Sequence, residues 1–128
     1  MSYTFSKVLD IDYESAIAKV TAALKDEGFG IITEIDMKTT LKNKINVDIH
    51  PYKILGACNP HFAHQALLAE NEIGSMLPCN VVVQETNDGK IKVSAIDPVA
   101  SMMAVQNNDL ADLAIEVRQQ MEKVISNL

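Results

Sequence analysis

The fold is decided by residues 79–97, which read CNVVVQETNDGKIKVSAID. Two runs rich in β-branched residues flank Asn87-Asp88-Gly89, and an Asp-Gly turn between such runs is a strong signal for a β-hairpin. A hairpin puts an antiparallel pair into the sheet, which argues against a doubly wound parallel fold. Val81-Val82-Val83 is apolar on both faces, so this strand is predicted to be central and covered on both sides.

The elements on either side of this hairpin follow from periodicity and capping residues. Before it, the pattern predicts strand 3–9 with Lys7 as an exception on its apolar face, a helix capped by Asp12 and stopped by Gly28, strand 29–35, a short polar helix or turn over 36–46, strand 52–58, and a helix capped by Asn59. After it come a short helix that starts at Asp97-Pro98 and a long helix capped by Asp109. We therefore predict a single α+β domain over residues 1–128, with helices packed on one face of a mostly antiparallel sheet.

Composition excludes several classes of protein. The chain has 128 residues, a net charge of −6 and one arginine, Arg118, which argues against nucleic-acid binding. Lys38, Lys42 and Lys44 form a local basic patch, and this spacing is typical of the solvated face of a helix. No apolar run is long enough for a membrane span, and residues 1–7 do not resemble a signal peptide. We expect a cytoplasmic protein without a membrane partner, in which Cys58 and Cys79 remain thiols.

The sequence contains no nucleotide-binding, serine-nucleophile or zinc-protease motif, and it identifies no cofactor. This favours a non-enzymatic protein over an enzyme. Cys58 precedes a predicted helix N-terminus, where a thiol can gain thiolate character, and Cys79 begins another strand with the same Cys-Asn pair. If the two strands are neighbours, the thiols support redox or metal chemistry, whereas simple core packing is the alternative.

Two histidines give a candidate metal site. His61 and His64 are three residues apart on the helix that follows Cys58, so both imidazoles could bind one ion. Phe62, Ala66 and Ala69 mark the buried face of that helix, however, and the histidines lie mostly outside it. Solvated side chains are the alternative interpretation.

Several polar residues lie where predicted elements begin or end, and together they suggest a ligand cleft. Asn59, Asn80 and Asp97 would line a polar mouth above an apolar interior if these ends meet, although helix capping also explains Asn59 and Asp97. Methionines could line the apolar part, or could merely fill gaps in the core: Met37, Met76, Met102 and Met103. We therefore predict a small-molecule site near Cys58, Asn59, Cys79, Asn80 and Asp97.

The segments 54–60, 73–83 and 95–98, which read ILGACNP, IGSMLPCNVVV and AIDP, resemble the prokaryotic domain family of unknown function numbered three hundred and two. The resemblance implies a compact α+β domain of the TATA-binding-protein-like type that forms a homodimer, and it implies no activity. It also marks Cys58, Asn59, Cys79, Asn80 and Asp97 as motif positions. Three functions stay open: a homodimeric ligand-binding module, a thiol-based redox or metal-handling protein, and a structural interaction module.

Overall fold

The computed structural model describes residues 2–128. In chain order the elements are β1 (Thr4–Leu9), α1 (Tyr13–Asp26), β2 (Gly30–Asp36), α2 (Met37–Ile45), β3 (Tyr52–Cys58), α3 (Pro60–Ala69), β4 (Cys79–Glu85), β5 (Ile91–Ile96), α4 (Pro98–Ser101) and α5 (Asn108–Ser126). A 3-10 turn, Ile73–Met76, lies between α3 and β4.

The five strands form one sheet in the order β1-β5-β4-β3-β2, and every neighbouring pair is antiparallel. The predicted hairpin joins β4 to β5, with Gly89 at a φ of +78° that an L side chain rarely adopts. The strand that carries the three valines is central, as predicted. These features confirm an α+β domain built on an antiparallel sheet.

Helices α1 and α5 cover one face of the sheet, and the main core lies between them and the strands. Its members come from α1 (Ala16, Val20, Leu24), from α5 (Val117, Met121, Val124) and from the central strands (Leu55, Val81, Val83, Val93). Because the side chains of a strand alternate between faces, Val81 and Val83 are fully buried here while Val82 points to the opposite face.

Lys7 is the charged exception on the apolar face of β1. It pairs with Val93 of β5, on the face that packs against α5. Its ammonium group donates hydrogen bonds to the main-chain oxygens of Leu128 and Ser126 at the end of that helix. A cation near a helix C-terminus is favourable, because the terminal carbonyl groups carry partial negative charge. The lysine therefore joins the first strand to the last helix.

The long helix α5 is capped by Asn107, so the prediction that Asp109 caps it was wrong. The side-chain oxygen of Asn107 accepts hydrogen bonds from the N–H groups of Asp109 and Leu110, at 3.1 and 3.4 Å. Its amide nitrogen also donates to the carbonyl oxygen of Ala69 at 2.9 Å, which ties α5 to the end of α3. Asn and Asp cap helices about equally well, so this tertiary hydrogen bond favours Asn107.

Strand β2 contains a bulge at Ile32. Ile31 pairs with Ala57 and Thr33 pairs with Gly56, which leaves Ile32 as an extra residue with no partner on β3. The bulge places Ile31 on the helix-covered face and Ile35 on the opposite face, although simple alternation would put them together. Ile32 itself is 61% exposed.

The opposite face of the sheet is here called the open face, and within residues 2–128 it contributes no buried residue to the main core. A row of paired residues crosses it from β2 to β1: Ile35, Ile54, Val82, Ser94 and Ser6. Ile35 is 45% exposed, and Ser6 and Ser94 share a hydrogen bond of 2.9 Å. None of the helices within residues 2–128 has the length and apolarity needed to cross a membrane.

Candidate functional site

Three strand ends lie side by side at one end of the sheet. This end is called the sheet edge below, and it is distinct from the edge strands β1 and β2. Strand β3 ends at Cys58, β4 begins at Cys79 and β5 ends at Ile96. The pairing of Ala57 with Cys79 and of Val81 with Ala95 fixes these ends side by side. The two Cys-Asn segments and the Asp97-Pro98 turn therefore lie at the same edge, as the ligand-cleft prediction required.

A cavity of about 240 Å³ lies between this edge and helices α3, α4 and α5. Its walls are almost entirely apolar: Phe29, Ile32, Ala57, Cys58, Asn59, Phe62, Ala63, Ala66, Leu77, Pro78, Cys79, Pro98, Met102, Leu110, Leu113, Ala114 and Val117. No charged side chain of residues 2–128 is among them. For comparison, an engineered apolar cavity of about 150 Å³ stays dry and binds benzene.

The space exists because the facing helices carry alanines. Ala63 and Ala66 lie on α3, Ala114 lies on α5, and all three line the cavity. Leucines at these positions would fill it. The bulged residue Ile32 also lines the cavity, although more than half of its surface is exposed.

Among residues 2–128, Asn59 supplies the only side-chain amide in the cavity wall. Its side-chain oxygen accepts a hydrogen bond from the N–H of Phe62 at 3.4 Å and so caps α3, as predicted. Its amide nitrogen donates to Oε1 of Gln120 on α5, also at 3.4 Å. A Cβ added at Gly28, where φ is +84°, would come within 3.2 Å of that nitrogen. Asn59 is thus fixed between α3, α5 and the turn after α1.

Both cysteines are free and line the cavity, Cys58 half-buried and Cys79 buried. Burial, and to a lesser extent the nearby Cys58, raise the pKa of the Cys79 thiol to about 11. Cys79 is therefore protonated at neutral pH, and a protonated thiol is a poor nucleophile and a poor metal ligand. The two thiols come from neighbouring strands, which was the condition set for redox or metal chemistry, but Cys79 is not activated for it.

Asp97 lies next to the cavity but does not line it. The side chain is buried, caps α4 by accepting the N–H of Val99 at 3.0 Å, and faces Arg118 with a 3.5 Å oxygen-to-nitrogen distance. Arg118 also approaches Glu122 at 3.5 Å and lies 5.7 Å from the ring centre of Phe5. Asp97 thereby holds the start of α4 and its neighbour Pro98, which does line the cavity.

The remaining predicted residues lie outside the cavity. Asn80 is exposed and, because it follows Cys79, points to the open face. His61 and His64 are exposed on α3. Within residues 2–128 no group of three or more His, Cys, Asp or Glu side chains is placed to hold a metal ion. Of the four methionines named as possible wall residues, Met102 lines the cavity.

Sequence reasoning missed most of the wall. Several wall residues look like ordinary core residues in the sequence: Leu77, Leu110, Leu113 and Val117. An apolar helix stripe has the same spacing whether it packs against another helix or borders a cavity. The sequence did contain one signal for the cavity. Ala66 of α3 and Ala114 of α5 are small residues on the buried faces of their helices, where larger apolar residues would have filled the space.

The fold and this edge cavity define a class, namely an antiparallel α+β domain with an apolar cavity between the sheet edge and its helices. The chain belongs to the family described as "Domain of unknown function DUF302", which it matches over residues 5–128. It is also similar to the uncharacterized conserved protein DUF302 from Bacillus stearothermophilus, whose crystal structure matches with a TM-score of 0.91, 23% sequence identity and 98% of each chain covered. That similarity confirms the fold. No curated protein matches the chain.

Proposed function

We propose that this protein is a binding module that holds a small apolar molecule in the cavity at the sheet edge. The supporting observation is the cavity itself, about 240 Å³ of space with apolar walls and a single amide, that of Asn59. An apolar pocket of this size attracts apolar ligands because its walls offer water too few hydrogen-bond partners. A small apolar or aromatic molecule, or the end of an alkyl chain, fits these walls.

Binding is tested with 1-octanol by isothermal titration calorimetry. The wild-type protein is expected to bind it. Ala114→Leu, which fills the cavity, is expected to abolish binding. Ala22→Leu on the exposed side of α1 serves as the matched control and is expected to bind like the wild type. Equal heats from Ala114→Leu and the wild type, or no binding by either, would reject the proposal.

We also propose that two copies of the chain associate through their open faces. Charged residues make up 22% of the chain, yet the open face has a single one, Lys92, among its strand residues within 2–128. Depletion of charge is the mark of an interface centre. Because the whole chain carries a net charge of −6, a face without acidic groups is where two copies repel each other least.

The size of the open face also suits a dimer. Five strands about 4.8 Å apart and about six residues long give a footprint of roughly 500 Å² per copy. Two such footprints reach the ~1,000 Å² that a specific interface needs. The apolar part, Ile35, Ile54 and Val82, runs from the β2 edge to the central strand.

Sedimentation velocity tests this association. The wild type is expected to be a dimer, and Val82→Asp and, separately, Ile35→Asp are expected to be folded monomers. Ala22→Asp, which adds the same charge on exposed α1, is the matched control and is expected to remain a dimer. Ile35 is on an edge strand, so this second variant keeps the test valid if Val82→Asp unfolds. A monomeric wild type, or dimeric Asp variants, would refute the interface.

A thiol-based role has weaker physical support than ligand binding. It would need a reactive thiolate, and burial holds the pKa of Cys79 far above neutral pH.

A further inference from the structure

A second depression adjoins the apolar cavity and extends along the outer side of α5. Its walls are polar, apart from one aromatic ring: Phe62, Glu116, Gln119, Gln120, Glu122, Lys123 and Ser126. With a volume of about 630 Å³ it is larger than the apolar cavity. Here it is called the polar groove.

The apolar cavity and the polar groove meet at two places. Phe62 lines both of them. The Asn59 amide, in the cavity wall, donates to Gln120, which is in the groove wall. The two spaces are therefore neighbours, and a molecule with its apolar part in the cavity would have its polar part nearest to Gln120.

Two carboxylates and one ammonium group line the polar groove. Glu122 lies 3.5 Å from Arg118, which in turn faces the buried carboxylate of Asp97, so that arginine is already matched by two acids. Glu116 is exposed and forms no ion pair with any other residue in the range 2–128. The groove therefore has an excess of negative charge and repels an anionic head group.

From this arrangement we infer that the natural ligand is amphipathic, with an alkyl or aryl tail in the cavity and an uncharged or cationic head group in the polar groove. This inference rests on the proposed ligand-binding function and names the ligand class. A carboxylate head would lie among Glu116 and Glu122, whereas an ammonium or hydroxyl head can bond to the same carboxylates and to the two glutamines.

The test uses three molecules with one tail and different heads: octylamine, 1-octanol and octanoate, each titrated by calorimetry at pH 7. A unit charge a few ångströms from another near a surface changes affinity severalfold, so octylamine is expected to bind about tenfold more tightly than octanoate. The preference should shrink as salt is raised, since the groove is open to solvent. Octanoate binding as tightly as octylamine would overturn the inference.

Glu116→Gln is expected to bring the amine-to-carboxylate ratio of affinities closer to one, because it removes one negative charge from the wall of the polar groove. Glu14→Gln is the matched control, because it removes the same charge at the start of α1, which follows Leu9 at the opposite end of the sheet. It is expected to leave the ratio unchanged, and an equal effect of the two variants would refute the role of the groove. The two proposals fail differently, because ligand binding fails if no octyl compound binds, whereas the head-group inference fails if all three bind equally.

Discussion

Replacing Ala114 by leucine should stabilise the ligand-free protein. The three added carbons enter an apolar space, and each buried methylene contributes about 0.8 kcal/mol, or about 2.4 kcal/mol in total. Restricting the leucine side chain costs about 0.5–1 kcal/mol. The expected gain is therefore about 1.5 kcal/mol in the free energy of unfolding, which corresponds to a rise of about 5–6 °C in the melting temperature.

Ala16→Leu is the matched comparison. Ala16 is fully buried in the main core and lines neither the apolar cavity nor the polar groove. The same substitution there has no space to fill, so it is expected to destabilise the protein by about 1–3 kcal/mol. Urea unfolding followed by circular dichroism measures both variants, with an unchanged m-value required for comparison. If Ala114→Leu is as destabilising as Ala16→Leu, the cavity does not persist in solution and the ligand-binding argument fails with it.

Three further outcomes are expected. Because the pKa of Cys79 is raised to about 11, maleimide at pH 8 should label the half-buried Cys58 at least about tenfold faster than Cys79, as read by mass spectrometry of Cys→Ser variants. Burial and nearby carboxylates raise the pKa of Tyr13 to about 12, so the folded state favours the neutral phenol. The free energy of unfolding should fall as the pH rises above 10, because the unfolded state then loses the phenol proton more readily. At pH 11, Tyr13→Phe should remove about 1 kcal/mol of that loss, a modest value because the ring is partly solvated. Arg118→Met leaves the Asp97 carboxylate buried without its cation and should cost about 2 kcal/mol in urea unfolding, whereas Asp97→Asn keeps the helix cap and should cost about 1 kcal/mol.

Features of the fold that depend on a few neighbouring residues could be predicted from the sequence. The Asn87-Asp88-Gly89 turn and the three valines of β4 placed the hairpin and the central strand, because turn geometry and alternation act over a few residues. Features that depend on contacts between distant parts of the chain could not be predicted in this way. Asn107 caps α5 instead of Asp109 because it also bonds to Ala69, far away in the chain.

The candidate site was readable only in part, for a similar reason. Cys58 and Cys79 were placed correctly at one edge because they end and begin paired strands, and Asn59 because it directly follows Cys58. Asn80 was grouped with them by its position in the chain, yet strand alternation points it to the other face. The cavity depends on how far apart α3 and α5 are held, which no single helix pattern specifies.

The bulge at Ile32 has a consequence for how the length of this chain can vary. Removing one residue from a strand normally turns every later side chain to the wrong side. Removing Ile32 would instead leave Ile31 opposite Ala57 and Thr33 opposite Gly56, as they are now, and the ladder would close without a gap. The main loss would be the isoleucine at the cavity wall. Strand β2 thus contains one position where a deletion alters the wall of the cavity and preserves the pairing register of the sheet.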